Sequence, residues 1–276
     1  MWRFVHTGNR SPAENMAIDE AILTAHRQGL VPPTVRFYGW SPASLSIGYF
    51  QQAEKEIDFE ALRERGLGFV RRPTGGRAVL HDRELTYSLV VSANYPGIPG
   101  NVTEAYRVLS MGLLLGFRRL GLDAEMACLH QPAGKDGRLS TAACFDAPSK
   151  YELVVEGRKI AGSAQMRSKG VILQHGSILL ELDAGKLFSV LRFPEPADRE
   201  RMKRLFERKA VAIQTCLTRK NLPPATMREV EDAFRAGFSE GLDTDLPESG
   251  LTGYETELAG RLAAEKYGSD GWNLKR

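Results

Sequence analysis

Cys144 stands in the stretch "TAACFDAPSKYELVVEGRKIAGSAQ", residues 141–165, and Lys159 follows it by fifteen positions. A free thiol with a pKa of about 8.5 is only about 3% thiolate at pH 7. An ammonium nearby favours the thiolate and raises that fraction. The pair therefore suits nucleophilic catalysis, in which an acyl group rests on sulfur between two partners. A plainer reading stays open: cysteine is among the most buried residue types, and a lysine on a hairpin is ordinarily a solvated charge. Three features favour the chemical one. The polar, glycine-containing stretch 129–142 leads into Cys144, Pro148 keeps its predecessor out of a helix, and Gly162, Ser163 and Ala164 follow Lys159 in a strand pattern. Small side chains in a strand admit another backbone or a ligand. Cys128 and Cys216 are better explained as core.

A second constellation is "RRPTGGRAVLHD", residues 71–82. Gly75 and Gly76 let the backbone approach a ligand closely. Arg71, Arg72, Arg77 and His81 supply donors for anionic or carbonyl groups. Taken alone, this is an acyl or phosphate site, or simply a hairpin. His175, in "LQHGSILL", reads as a structural histidine before a base. No H-E-x-x-H, Cys/His cluster or carboxylate cluster suggests a metal, and no G-x-S-x-G suggests a serine hydrolase. We expect neither metal nor cofactor.

The elements that must position these residues belong to a 276-residue chain, 42% hydrophobic and 26% charged, with net charge +3. That charge is too balanced to argue for bulk nucleic-acid binding. Three cysteines without a CxxC pair read as free thiols of a reducing compartment. No charged head followed by an apolar run opens the chain, and "MGLLLGF" is far short of a membrane span. The expectation is a cytoplasmic monomer that binds neither membrane nor nucleic acid.

Ser11, Pro12 and Glu14 predict a capped helix over "SPAENMAIDEAILTAHRQG". "TVRFYGW" and "SLSIGYF" predict strands, "DFEALRERGLG" a short helix, and residues 68–92 three strands around a glycine turn. "VTEAYRVLSMGLLLGFRRLGL" predicts one long buried helix. Residues 150–182 predict three strands with "EGRK" and "RSKG" as turns, and the chain beyond residue 183 predicts charged helices. Strands that cluster as hairpins argue for an α+β fold with a mixed or antiparallel sheet flanked by helices. The domain expectation is a catalytic unit at 1–248 and a helical tail at 249–276 packed on it.

"RFYGWSPASLSIGYFQ", "RRPTGGRAVLHDRELTYSLVV", "CFDAPSKYELVVEGRKIAGSAQMR" and "GVILQHGSILL" together resemble the lipoate–biotin protein ligase superfamily. Within it, the chain is most similar to the octanoyltransferases of lipoate biosynthesis. The resemblance runs over nearly the whole chain, through "NVTEAYRVLS" to "YGSDGWNLKR". It implies the catalytic-domain fold of biotin and lipoate ligases. It implies transfer of octanoyl from acyl carrier protein to a lysine of a lipoyl domain, the glycine cleavage H protein, without ATP or metal. Cys144 matches the acyl-carrying cysteine and Lys159 the lysine that lowers its pKa. Arg72, Gly75, Gly76, His81, Gly162, Ser163 and Ala164 match the substrate-pocket motifs. Val79, Leu80, Tyr87 and Ile160 are expected to line an apolar pocket for eight carbons.

One departure separates the chain from ATP-using ligases, which typically read Gly-Gly-Gly where it has Gly75-Gly76-Arg77. Two enzymes stand as alternatives: an amidotransferase that takes octanoyl from H protein to other lipoyl domains, and an ATP-dependent lipoate ligase. A non-catalytic binder or regulator is the alternative of another class.

Overall fold

The computed structural model of the chain describes residues 1–128 and 151–276. Cys144 and the polar 129–142 stretch lie outside the described residues, as does the side chain of Cys128.

Helix α1 (Pro12–Arg27) begins where the capping box requires it. The Ser11 hydroxyl accepts the Glu14 N–H, and the Glu14 carboxylate accepts the Ser11 N–H at 3.0 Å. The helix connects strand β1 (Arg3–Arg10) to β2 (Thr34–Trp40), which lie parallel. Chain order continues with β3 (Ser44–Ile47), α2 (Ala53–Glu56), α3 (Phe59–Glu64), β4 (Gly68–Arg71), β5 (Val79–His81) and β6 (Glu84–Ser92). Next come α4 (Val102–Leu109), α5 (Met111–Arg119), β7 (Ala124–Cys128), β8 (Tyr151–Val155), β9 (Arg158–Lys159), β10 (Ala161–Ser168) and β11 (Val171–Leu179). Helices α6 (Ala184–Ser189), α7 (Pro196–Lys209), α8 (Ile213–Arg219), α9 (Met227–Gly241), α10 (Gly253–Leu262) and α11 (Asp270–Asn273) complete it. A π-helical turn, Ala263–Tyr267, extends α10.

Among the described residues the main sheet has five strands in the order β1-β2-β6-β11-β10, antiparallel except for β1 with β2. Two three-stranded sheets, β4-β3-β5 and β7-β8-β9, flank it. The architecture is α+β. Strand β6 is buried on both faces, and its alternation divides the core. Leu85, Tyr87, Leu89 and Val91 pack with Leu109, Leu113 and Phe117 and with Phe234 and Phe238 of α9. On the opposite face, Val90 packs with Met16 and Ile22 of α1. No described helix is long and apolar enough to cross a membrane.

Two local expectations need correction. The long buried helix is two helices, broken at Ser110. There the N–H is shared between the Tyr106 and Arg107 carbonyls, and the hydroxyl accepts Gln174 Nε2 at 3.2 Å. The break lets α5 present Gly112 and Gly116 to Phe238 and Phe234 of α9. Residues 151–179 form four strands, not three. The two turns stand where expected, with Glu156, Gly157, Lys169 and Gly170 all at positive φ. But the middle segment divides at Ile160: Lys159 pairs with Val154 in the small sheet, and Ala161 opens β10 in the main one.

The C-terminal helices pack back on the rest. Glu255 receives both terminal nitrogens of Arg3. Arg71 donates its N–H to Asn273 Oδ1 at 2.9 Å, and its carbonyl accepts Trp272 Nε1 at 2.8 Å.

Close packing of α5 on α9 predicts substitutions of opposite sign. A Cβ at Gly237 would lie 2.5 Å from the Gly112 carbonyl oxygen, whereas one at Gly260 meets nothing within 4 Å. Denaturant unfolding should show Gly237→Ala destabilised by about 1–3 kcal/mol, and Gly260→Ala stabilised by about 0.5–1 kcal/mol.

Candidate active site

Strand register brings the site together on the α1 face of the main sheet. Tyr38, Thr86, Ser177 and Gly162 stand side by side in one row, and Arg36, Ser88, His175 and Ala164 in the next. Gly162 and Ala164, at the β10 end of the two rows, are small, so the sheet is shallow there. A small cavity of about 30 Å³ results, walled by Met16, Tyr38, Trp40 and Val79.

Arg72, His81, Gly162, Ser163 and Ala164, five of the expected residues, line this cavity. Gly76 lies at its rim, where an added Cβ would sit 4.0 Å from the Ala164 Cβ. Its φ of +96° is glycine territory. Gly48 packs against that turn so closely that a Cβ there would lie 2.0 Å from the Gly76 carbonyl oxygen. Gly75 sits against Phe50. Arg72 holds the turn from inside: Nη2 donates to the carbonyls of Gly75 and Arg77 at 3.0 Å, and Nη1 to Ser46 Oγ at 2.8 Å. His81 is stacked on the Trp40 indole with centroids 4.0 Å apart. Its Nδ1–H donates to Glu84 at 2.6 Å, and Nε2 faces Ser46 Oγ at 2.7 Å.

Lys159 is 8% exposed, and its ammonium donates to Glu152 Oε1 at 2.9 Å. The expected apolar residues divide. Val79 and His81 share the face of β5 that lines the cavity, while Leu80, between them, faces a second cavity with Leu182 and Phe206. Tyr87 and Ile160 belong to the core on the far face of the sheet. Period-two alternation is the reason: Thr86, not Tyr87, points into the cavity.

Below the cavity lies a carboxylate that sequence reasoning missed. Asp19 is fully buried and accepts from Arg36 Nη1 at 2.6 Å, Ser88 Oγ at 2.8 Å, His175 Nδ1 at 3.0 Å and the Tyr38 hydroxyl at 3.1 Å. Burial pushes this carboxyl up, but the Arg36 guanidinium and the bonds from His175 and Ser88 outweigh it and hold it below its ordinary value. With Nδ1–H given to Asp19, His175 Nε2 accepts the Thr74 hydroxyl at 2.6 Å, which anchors the glycine turn to the sheet. A signal existed: Asp19 sits among Met16, Ile18 and Ile22, a charge inside the apolar pattern of α1. Glu84, which accepts from His81, Thr86 and Ser177, had no comparable signal. Among the described residues no group of three or more His, Cys, Asp or Glu is placed to hold a metal ion.

The family model for the lipoyl protein ligase A/B catalytic domain matches residues 11–239. Octanoyltransferase LipM of Geobacillus kaustophilus is 57% identical over 278 residues, covering 100% of this chain and 99% of that protein. The protein of the same name from Bacillus subtilis is 55% identical, with 100% and 98% covered. Among solved structures, one from an archaeal lipoylation system superposes with a TM-score of 0.80 at 28% identity, covering 99% of this chain and 95% of that one. It is described as a bi-partite lipoate protein ligase and its E2 lipoyl domain from Thermoplasma acidophilum.

Burial holds the His175 imidazole below its ordinary value, with Arg72 and His81 adding to the shift and Asp19 opposing it. The unfolded chain therefore takes up a proton near pH 6.5 that the folded chain refuses until lower pH. Stability should be fully present above about pH 6.5 and fall as pH drops through the folded value. Urea unfolding between pH 7.5 and 5 checks this. His175→Gln should flatten the slope, and an unchanged slope would place the proton uptake elsewhere.

Proposed function

Because the chain belongs to the lipoyl protein ligase A/B catalytic-domain family, we propose that it is an octanoyltransferase of lipoate biosynthesis, with Cys144 as the acyl carrier. The observation that carries this reading is the full-length identity, above half, to proteins named octanoyltransferase. Cys144 and Lys159 in sequence, and the cavity beside Gly162–Ala164, support the mechanism.

The donor is octanoyl acyl carrier protein. The Cys144 thiolate attacks the thioester carbonyl, a new S–C bond forms, and the carrier's C–S bond breaks. The carrier thiolate takes up a proton. In the second half, the amine of a lipoyl-domain lysine, that of the glycine cleavage H protein, attacks the acyl-enzyme. The N–C bond forms, the Cys144 S–C bond breaks, and the amine's proton goes to the departing thiolate. Thioester exchange is near balance and amide formation is downhill, so no ATP is required. Lys159, ion-paired with Glu152, supplies the positive field that favours the thiolate. Met16, Tyr38, Trp40 and Val79 hold the alkyl chain away from water. In this reading residues 1–248 are the catalytic unit, 249–276 its packed tail, and the protein a cytoplasmic monomer.

The ligase reading draws on the archaeal lipoate ligase of similar fold. A transfer assay separates the two. Octanoyl carrier and lipoyl domain should give octanoylated domain without ATP, Cys144→Ala should abolish it, and free octanoate with ATP should give none. Product only from octanoate and ATP, unaffected by Cys144→Ala, would establish the ligase. Lys159→Ala should cut the wild-type rate at pH 7 by roughly tenfold and by less at pH 9, where the thiol ionises unaided. An equal loss at both pH values would assign Lys159 another role.

A further inference from the structure

Helix α7 turns one side to the core and the other to solvent. Met202 and Phe206, four residues apart, are buried in one cluster with Leu187 and Phe188 of α6. Arg201, Arg204, Leu205 and Arg208 are exposed, and their helical spacing sets them on a single outward stripe. The stripe is thus three arginines around a leucine that is 37% exposed. The helix carries six cations against Asp198, Glu200 and Glu207. Two of those carboxylates are already engaged, Asp198 by Arg201 at 2.8 Å and Glu200 by Lys203 at 2.9 Å. Arg204 and Arg208 have no carboxylate partner among the described residues. The hydrogen bond from Lys203 and the charges of Lys203, Arg204 and Arg199 hold the Glu200 carboxyl below its ordinary value, as a positive field along the helix requires.

The helix ends on the strand that carries Lys159. The Ala210 N–H donates to the Phe206 carbonyl at 2.9 Å and closes the last turn. Ala210 then bridges Lys159, and the Val211 N–H donates to the Lys159 carbonyl at 2.9 Å. Arg208 stands two residues before that bridge, and Arg201 about 13 Å of helix axis away from it. The stripe therefore leads away from Lys159, and a protein lying along it reaches Lys159 only through something long and thin. An acyl carrier offers that, because its acyl group hangs on a flexible phosphopantetheine arm. An acceptor lysine belongs to its protein's own surface and must come up to the thioester itself. The arm is also joined through a phosphodiester, and the arginine fork matches phosphate and carboxylate oxygens.

We infer that the exposed stripe of α7 is the docking surface for the octanoyl donor. Arg201, Arg204 and Arg208 meet the anionic groups of an acidic carrier, and Leu205 gives an apolar contact at their centre. The inference rests on the acyltransferase reading and adds to it where the donor sits. Charge of one sign along a helix steers a partner of opposite charge and fixes its register. In that register the carrier's arm runs toward the C-terminal end of α7, where Lys159 stands. Each ion pair is solvated, so each contributes little and the emptied carrier can leave.

Transfer to a saturating lipoyl domain tests this with two donors, octanoyl carrier protein and octanoyl-pantetheine, which has the thioester but no protein. Arg201→Glu, Arg204→Glu and Arg208→Glu together should raise the KM for the carrier roughly thirtyfold at low salt. Leu205→Asp alone should raise it roughly fivefold. For both variants, kcat with the carrier and the rate with octanoyl-pantetheine should stay within about twofold of wild type. Added salt should raise the wild-type KM for the carrier and leave that of the triple variant nearly unchanged. Thermal midpoints should stay close to wild type, because the altered side chains are exposed. A carrier KM unchanged in both variants would overturn the assignment. So would an equal loss with octanoyl-pantetheine, which would make the helix a support for the site, or a rise confined to the KM for the lipoyl domain, which would make the stripe the acceptor's. A wild-type enzyme that transfers from neither donor would overturn the functional reading itself, which is a different failure.

Discussion

A carboxylate sealed from water is tolerable only when every donor around it is in place, and Asp19 imposes that condition on this fold. Its four donors come from three strands, β2, β6 and β11, while Asp19 itself comes from α1. Arg36, equally buried, also donates to the Asn15 carbonyl and to Thr7, which ties the helix and β1 to the same point. Removing one partner of such a pair typically costs about 3–5 kcal/mol, because the other charge is left stranded. The helix can therefore sit on the sheet in one position only. Through His175 and Thr74 the same constraint reaches the glycine turn, so a carboxylate that touches no substrate sets the cavity's roof.

Small residues do the complementary work. Gly162 and Ala164 keep the sheet shallow on the cavity face, and Gly176 clears the path between Tyr87 and Ser163 on the other. Gly48 beneath Gly76 lets two backbones touch. Strand β10 thus presents small residues to the cavity on one side and joins a buried hydrogen-bond chain through Ser163 and Tyr87 on the other. The ion pair of Lys159 with Glu152 stands at the start of this run, just before Ile160 crosses into the main sheet.

Much of this was legible in the chain. The capping box placed the start of α1 at Pro12, and the glycine and arginine motif marked the turn that Arg72 organises. Local patterns carry such information because caps and turns are made by neighbours. What stayed hidden depends on pairing between distant strands. Tyr87 reads as an apolar strand residue, and only the register with Gly176 shows that its hydroxyl reaches Ser163. Alternation within "AVLHD" did imply that Val79 and Leu80 face opposite ways, so grouping them in one pocket overlooked the strand's own period. The break at Ser110 follows from Gln174, sixty-four residues away, and no helical propensity announces it.

The central claim is that octanoyl rests on the enzyme between donor and acceptor. Intact mass after mixing the protein with octanoyl acyl carrier protein alone, without ATP and without a lipoyl domain, addresses it most directly. The account predicts one octanoyl adduct that hydroxylamine removes and that peptide mapping places on Cys144. An unmodified enzyme under conditions where the complete system transfers octanoyl would contradict it, and would mean that the lysine takes the acyl group straight from the carrier.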